Sequence, residues 1–268
     1  MASQEQEKTL EVPSEGNAFL YGADGKPKEQ FRLPANFSTP YRPDLIRKDF
    51  IASAANRRQP YGSMKRAGMR HSVETWGKGR GVARVQRIKG QSTAAQSPNN
   101  VGGRRAHPPK QERQWYMKIN EKERKLAKQS ALAASGNKEL VVSRGHRFSE
   151  SVCLPVVFDD EIESISRSSE FEQVLGSLGI IEDIARVRDG THIRAGRGKM
   201  RNRRYREPVG PLVVVSSMNV PLAKSARNLA GVSIATPASL NTEKLAPGGD
   251  AGRLVLFSRK AIEMMRGV

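Results

Sequence analysis

The sequence predicts an α/β protein with a single, mostly parallel sheet, helices packed on it, and a long extended internal loop that has no core of its own. Three observations support this fold class. Short apolar runs rich in β-branched residues alternate along the chain with helical patterns. The excess positive charge is confined to two segments. The remaining residues are close to neutral and contain the apolar runs, so they can form an ordinary hydrophobic core.

Helical segments are marked by their start signals. Pro43 stands at a first helical position, and two capping-box pairs, Asn120 with Glu123 and Ser169 with Glu172, precede apolar stripes. Helices are predicted at 43–56, 120–135, 169–178, 222–230 and 259–265.

Strands are predicted where apolar runs are too short for helices. The first 42 residues contain two such runs and a turn at Asp24 and Gly25, and we expect them to join the globular domain without an independent core. The strands are predicted at 18–21, 31–33, 140–142, 154–158, 212–215, 232–234 and 254–257. The resulting organisation is an N-terminal stretch (1–42), a globular domain (43–56 and 114–268) and an inserted loop (57–113).

The charge of the chain is strongly localised. The 268 residues include 46 Lys and Arg against 27 Asp and Glu, a formal net charge of +19. Residues 57–113 have a net charge of +12 and residues 186–206 have +8, whereas all the others together have −1. Charge concentrated in this way indicates a binding face for a polyanion, with nucleic acid the first candidate.

The loop 57–113 cannot build its own core, because it has no sustained apolar period and contains eight glycines. It is therefore either disordered alone or ordered by RNA. Each limb has about 28 residues and could reach at most roughly 90 Å, far enough to enter a large assembly.

Cations that neutralise phosphates and aromatic rings that stack on unpaired bases together favour structured RNA over a uniform duplex. For each aromatic residue the alternative is ordinary packing. The loop candidates are Lys65, Arg66, Arg70, His71, Trp76, Lys78, Arg80, Arg84, Arg87, Lys89, Arg104, Arg105, His107 and Lys110. The candidates of the second segment are Arg194, Arg197, Lys199, Arg201, Arg203, Arg204, Tyr205 and Arg206. Trp115 and Tyr116 are further stacking candidates.

Catalytic signatures are weak, although an RNA-processing enzyme using the α/β domain is the alternative function. The segment around Lys199 fails as a phosphate-binding loop, since Ile193 replaces the first glycine and Met200 the required Ser or Thr. Gly77, Gly79 and Gly81 lack dinucleotide-binding spacing. A DNA-packaging protein is a third hypothesis. We expect no enzyme activity and no cofactor.

Metal and nucleophile candidates have simpler explanations. The acidic run 159–163 could hold a hard cation, but acidic residues after a strand more often occupy a first helical turn. The four histidines lack metal-ligand spacing, so no metal site is expected. Cys153, between Val152 and Leu154, is expected to be a small buried hydrophobe. A single cysteine suits a reducing, cytoplasmic setting, and no apolar run is long enough for a membrane span.

Several ordered motifs carry a family resemblance, which spans nearly the whole chain from Arg42-Pro43-Asp44 onward. The chain resembles the ribosomal protein L-four family in its archaeal and eukaryotic form, and its length resembles the archaeal members. The motifs are Thr75-Trp76-Gly77-Lys78-Gly79-Arg80-Gly81, Val101-Gly102-Gly103-Arg104-Arg105, Arg144-Gly145-His146, Arg194-Ala195-Gly196-Arg197-Gly198-Lys199, Ala226-Arg227-Asn228-Leu229-Ala230-Gly231 and Leu245-Ala246-Pro247-Gly248-Gly249.

The resemblance implies a structural, primary rRNA-binding protein of the large ribosomal subunit in the cytoplasm. In the family, the loop tip helps to form the constriction of the nascent-peptide exit tunnel, opposite a loop of the L-twenty-two family. It implies large-subunit rRNA, other large-subunit proteins and, in passing, the nascent peptide as partners. Carried onto this chain, the tunnel-lining tip is Thr75, Trp76, Gly77, Lys78, Gly79 and Arg80. Residues 1–9 fall outside the part of the chain that can be aligned.

Overall fold

A computed structural model describes residues 16–266 of the chain. Its residues up to Ser53 and from Lys118 onward form one compact unit, hereafter the α/β unit, and Ala54–Met117 form a second, the loop unit. Residues 1–15 of the predicted N-terminal stretch lie outside the described residues. Among the described residues, no helix is both long and apolar enough to cross a membrane.

The elements alternate between strands and helices along most of the chain. The strands are β1 (Asn17–Tyr21), β2 (Pro27–Arg32), β3 (Val73–Glu74), β4 (Arg87–Ile88), β5 (Val156–Phe158), β6 (His192–Ile193), β7 (Tyr205–Arg206), β8 (Leu212–Val214), β9 (Ser233–Ala235) and β10 (Val255–Ser258). The helices are α1 (Pro43–Asn56), α2 (Glu121–Gly136), α3 (Lys138–Ser143), α4 (Ser168–Ser177), α5 (Ile181–Gly190), α6 (Pro221–Ala226), α7 (Thr242–Leu245) and α8 (Arg259–Met265).

The α/β unit is built on a six-stranded sheet with the strand order β2-β1-β5-β10-β8-β9. Strands β1, β5, β10, β8 and β9 are parallel to their neighbours, and β2 pairs antiparallel with β1 at one edge through the hairpin turn that contains Gly25. Gly25 has φ of 73°, which requires glycine at this turn. The predicted fold class, a mostly parallel sheet with helices, is confirmed.

The central strands bury side chains on both faces, which explains why they read as continuous apolar runs. In β5, Phe158 packs in a cluster with residues of α4, α5 and α6, whereas Val157 packs in a second cluster with residues of α2 and α8. Strand β10 repeats this alternation with Leu256 and Phe257. The neutral part of the chain therefore has a two-sided core.

One predicted strand is wrong. Residues 140–142 lie in the helix α3, whose N-cap Asn137 accepts hydrogen bonds from the backbone N–H groups of Glu139, at 2.9 Å, and Leu140, at 3.3 Å. A short apolar run cannot be assigned by periodicity alone, and the Asn cap satisfies helical N–H groups that a strand would pair elsewhere.

The capping-box predictions also need correction. Ser169 lies inside α4, whose N-cap is Arg167, so the Ser169–Glu172 box is wrong. Asn120 does stand at the N-cap of α2, but its side chain makes no capping hydrogen bond. The helix predicted at 222–230 ends at Ala226, and the sequence patterns missed α5 and α7.

Candidate nucleic-acid interface

The tip of the loop unit is carried by a short hairpin. Strands β3 and β4 pair antiparallel, with Glu74 opposite Arg87, so the residues between them form the connecting loop. The Thr75 hydroxyl donates to the carbonyl of Arg84 at 3.4 Å and accepts from the Gly77 N–H at 3.5 Å. The hairpin therefore holds the residues of the predicted tip in a defined turn.

Three glycines give the tip its backbone course. Gly77, Gly79 and Gly81 have φ of 72°, 83° and 66°, and a Cβ atom at any of them would meet no atom within 4 Å. Their role is conformational, because these φ values disfavour other residues while the surrounding space is empty. An open surface of this kind allows a phosphate backbone to approach closely.

Trp76 stacks with cations of its own loop. The guanidinium carbon of Arg87 lies 5.1 Å from the centroid of the indole ring, and that of Arg80 lies 5.6 Å from it. Arg87 also donates to the carbonyls of Ser92 and Ala83. Stacking of Trp76 on an RNA base remains a prediction, and these contacts show that guanidinium groups are its present neighbours.

The two limbs of the loop unit lie backbone against backbone. The Gln96 side-chain amide donates to the carbonyls of Met69, at 3.2 Å, and His71, at 2.6 Å. A Cβ atom on Gly68 would lie 2.5 Å from the Cα of Arg104, so a larger residue there would separate the limbs. Between 57 and 113, Ala95 is the one apolar side chain that is fully buried. Polar and glycine-mediated contacts thus replace an apolar core.

Near the ends of the loop unit, Trp115 is surrounded by aromatic and cationic groups. The ring of Tyr61 lies 5.4 Å from it, and the guanidinium groups of Arg58 and Arg113 lie 4.8 Å and 5.4 Å from its centroid. Trp115 is therefore packed against neighbouring side chains of the loop unit. Ordinary packing was the alternative to base stacking for this residue.

Most of the predicted loop cations are exposed and uncompensated. Lys65 pairs with Glu112 at 3.5 Å and Lys89 with Glu74 at 3.8 Å, and Arg70 contacts the sulfur of Met64. The following side chains have no hydrogen-bond or ion-pair partner in the part of the chain that the structure describes: Arg66, His71, Lys78, Arg84, Arg104, Arg105, His107 and Lys110. Unpaired cations of this density suit a polyanion.

The second segment forms a hairpin of its own in the α/β unit. Strands β6 and β7 pair with His192 opposite Arg206, and the Arg194 N–H donates to the carbonyl of Arg204 at 2.9 Å. A 3-10 helix, Arg197–Arg201, lies in the connection between the two strands, and Asn202 ends it in the left-handed conformation with φ of 57°. The sequence predicted the charge of this segment but not its hairpin.

The cations of this hairpin point to solvent. Arg194 donates through Nε to the carbonyl of Tyr205 at 3.2 Å, and the Arg204 guanidinium lies 5.7 Å from the Tyr205 ring. Met200, between the cations, is 80% exposed. Among the described residues, no side-chain partner is found for Arg197, Lys199, Arg201, Arg203 and Arg206.

The acidic run 159–163 has a structural role. The Asp159 carboxylate caps the 3-10 helix Asp160–Ser164 and accepts from Lys28 Nζ at 2.7 Å. Buried Glu163 accepts from the N–H and the hydroxyl of Ser216, at 2.9 Å and 2.8 Å. The described residues contain no cluster of three or more His, Cys, Asp and Glu side chains that could hold a metal ion. The first-turn interpretation of this run is confirmed.

The sequence anticipated the environment of Cys153 only in part and did not indicate that of Asp183. Cys153 is half-buried at the edge of the core rather than fully buried, and its N–H donates to the Tyr21 hydroxyl at 3.1 Å. Asp183 is fully buried and accepts from His146 Nδ1, at 3.0 Å, and from Arg186 Nε, at 2.9 Å. A buried aspartate on the apolar face of a helix gives no periodic signal, so the sequence could not indicate this cluster.

The fold and these surfaces define a class of protein: a neutral α/β domain that carries two exposed, cation-rich segments of a kind that suits a polyanion. Comparison with known proteins makes this more specific. Residues 31–268 match the Ribosomal protein L4/L1 family. The chain belongs to this family of structural, rRNA-binding ribosomal proteins, which confirms the resemblance found in the sequence and decides against the RNA-processing enzyme.

Three relatives are each named large ribosomal subunit protein uL4. The protein of Methanococcoides burtonii is 47% identical over 251 residues, 94% of this chain and 98% of the relative. Those of Methanosphaera stadtmanae and Thermoplasma acidophilum are both 45% identical, over 92% and 93% of this chain and 95% and 97% of the relatives. The similarity therefore extends over nearly the full length on both sides.

Proposed function

We propose that the protein is a structural constituent of the large ribosomal subunit and binds large-subunit rRNA through two segments, the loop 57–113 and the hairpin around 194–206. The observation that carries this proposal is the distribution of unpaired charge. Exposed cations without acidic partners are concentrated in these two segments, while the rest of the chain is close to neutral. Such cations bind phosphates and release counterions, a contribution that does not depend on sequence.

The organisation of the chain fits a division of labour. The globular domain, 43–56 and 114–268 with the N-terminal stretch 1–42 attached, supplies the apolar core and positions the second segment. The loop has almost no buried apolar surface. Its ordering in the ribosome is therefore expected to depend on surrounding phosphates, which take the place of a core.

We further propose that the tip lines the nascent-peptide exit tunnel. The tip residues Thr75–Arg80 combine a turn fixed by Thr75 with open glycines, so that a peptide or RNA backbone can pass close to them. A protein of the L-twenty-two family would be the partner across the tunnel, the nascent peptide would be a transient contact, and the cytoplasm would be the location.

Site-specific photo-crosslinking in purified, translating ribosomes tests the whole proposal. A photoreactive residue is placed singly at Thr75, at Arg104, at Met200 and, as control, at the exposed Lys224 of α6. We expect position 75 to crosslink to the nascent peptide and to the L-twenty-two partner, and positions 104 and 200 to crosslink to large-subunit rRNA. Lys224 should give far less of either product.

The separate products keep the parts of the proposal distinguishable. Crosslinks to rRNA from 104 and 200 without peptide crosslinks from 75 would overturn the tunnel assignment alone. If positions 104 and 200 crosslinked no more rRNA than position 224, the two-segment interface would be wrong.

A further inference from the structure

The α/β unit contains a polar cleft that lies outside the two basic segments. Its volume is about 500 Å³, which is within the range of small-molecule sites. The cleft lies beside α3 and α5. Among the residues that line it are Tyr41, Ser143, Arg144, His146, Arg186 and Asp250.

His146 is held in one orientation at this cleft. The residue is 5% exposed, and its Nδ1 lies 3.0 Å from the fully buried carboxylate of Asp183. Asp183 also accepts from the backbone N–H of Arg147 at 3.0 Å, which fixes the carboxylate in turn. Because the carboxylate accepts from Nδ1, the Nε2 atom is the one left available, and no partner for it exists among the described residues.

Two guanidinium groups at the cleft have unused donors. Arg186 donates Nε to Asp183 and Nη2 to the carbonyl of Val209 at 2.8 Å, which leaves Nη1 without a partner among the described residues. Arg144 donates Nη1 and Nη2 to the carbonyls of Pro247, Asp250 and Ala251, which leaves Nε.

The charge of Arg144 lacks a carboxylate partner of its own. All its hydrogen-bond acceptors are carbonyls, and the Asp250 carboxylate pairs with Arg47 instead, at 3.2 Å. Burial lowers the pKa of Arg144; Asp250 opposes this, and the neighbouring Arg186 lowers the pKa further. A half-buried cation next to a second cation is a favourable place for an anion, since an anion relieves both the desolvation and the repulsion.

We propose that this cleft binds one nucleotide of RNA, with the phosphate on Arg144 and Arg186 and the ribose or base against His146 and Tyr41. Tyr41 is 44% exposed, so its aromatic ring is accessible at the cleft. An unpaired base can stack on such a ring, whereas binding of an acidic peptide does not require one, and this favours RNA as the ligand. This inference rests on the proposed function and adds a third contact, which reads a single unpaired nucleotide rather than a run of phosphates.

Titration of the full-length protein with adenosine monophosphate tests the cleft directly. The imidazole signals of His146 are followed by NMR, with inorganic phosphate, adenosine and a poly-glutamate peptide as separate arms. We expect the nucleotide to shift the His146 signals and to saturate at lower concentration than phosphate or adenosine alone. No shift, an equal response to inorganic phosphate, or a response to poly-glutamate alone would overturn the proposal.

A matched pair of variants connects the cleft to rRNA. Ser143 lines the cleft at the end of α3, whereas its neighbour Val142 is 53% exposed and does not line it. Ser143→Glu places a carboxylate beside the two guanidinium groups, and Val142→Glu adds the same charge outside the cleft. We expect S143E to weaken binding of large-subunit rRNA several-fold more than V142E.

The salt dependence sharpens this comparison. For S143E, the slope of log affinity against log salt should fall by about 0.7 to 0.9 for the lost phosphate contact. If S143E and V142E behave alike while the wild type binds rRNA, the cleft proposal fails and the proposed function stands. If the wild type itself does not bind large-subunit rRNA, the proposed function fails.

Discussion

Arginine has two distinct roles in this chain, and burial separates them. Arg253 is 2% exposed and donates to the carbonyls of Gly210, at 2.9 Å, and Lys244, at 2.8 Å. Burial, with a contribution from nearby Arg144, lowers its pKa to about 10, so it stays charged at neutral pH and ties loops together. Arg104, by contrast, is exposed and has no partner among the described residues. Only arginines of the second kind add to an RNA-binding surface.

Asp183 is the residue whose loss should destabilise the α/β unit most clearly. Burial alone would raise the pKa of its carboxyl group, but hydrogen bonds from His146 and Arg186 outweigh burial and hold that pKa below its ordinary value. We expect Asp183→Asn to lower the free energy of unfolding by about 3 kcal/mol at pH 7, since it leaves the Arg186 guanidinium without its counterion and removes the carboxylate that accepts from buried His146. Urea denaturation measures this difference.

The pH dependence follows from the direction of the shift. A carboxyl group with a lowered folded-state pKa stabilises the fold above the unfolded-state pKa, about 4, and the stabilisation is lost as pH falls through the folded-state value. The difference between wild type and variant should therefore shrink at acidic pH. Asp189→Asn, an exposed position on the same helix, is the control, and an equal loss in both variants would contradict the role of Asp183.

At the scale of single elements, the sequence patterns worked where apolar periodicity and packing agree. Strands β5, β8 and β10 are buried apolar runs, β9 is a half-buried edge strand, and each overlaps the run that predicts it. Helix α5 was missed because its buried face includes Asp183, which interrupts the apolar stripe that identifies a helix. The residues 140–142 were assigned to the wrong element because three apolar residues fit both periods, and a single cap, Asn137, decided the outcome.

The two asparagines at helix starts provide a matched test of that explanation. Asn137 accepts from two backbone N–H groups of α3, whereas the Asn120 side chain makes no capping bond to α2. We expect Asn137→Ala to lower the free energy of unfolding by about 1 kcal/mol and Asn120→Ala by a few tenths at most. Urea denaturation of both variants measures the difference. Equal losses would mean that capping does not specify α3.

For the molecule as a whole, the sequence predicted where the exposed cations concentrate but not how they are arranged. The charge map identified the loop and the second segment, because charge is additive along the chain. The β3–β4 turn, the guanidinium groups around Trp76 and the β6–β7 hairpin depend on hydrogen bonds and φ values that composition does not encode. The cleft with Arg144 and His146 was still harder to predict from the sequence, since it joins residues distant in sequence through a buried aspartate.

The division between a domain with a two-sided apolar core and a loop with almost none leads to a final prediction. Replacing 65–105 by a short Gly-Ser linker removes ten Lys and Arg but leaves every residue of the two core clusters in place. We expect the deletion variant to be soluble and to unfold in one cooperative thermal transition, because the apolar burial that stabilises the α/β unit is retained. Calorimetry and circular dichroism measure the transition.

The same variant should bind large-subunit rRNA with a much shallower salt dependence. Each lost phosphate contact lowers the slope of log affinity against log salt by about 0.7 to 0.9, so even half of the ten cations would change it by about 4. The residual slope should then come from the second segment together with the cleft and the cations left at the ends of the loop, and adding Arg201→Glu and Arg203→Glu should reduce it again. A deletion variant that fails to fold would show that the loop is part of the core. A variant that folds but keeps the full slope would show that the loop lies away from the RNA.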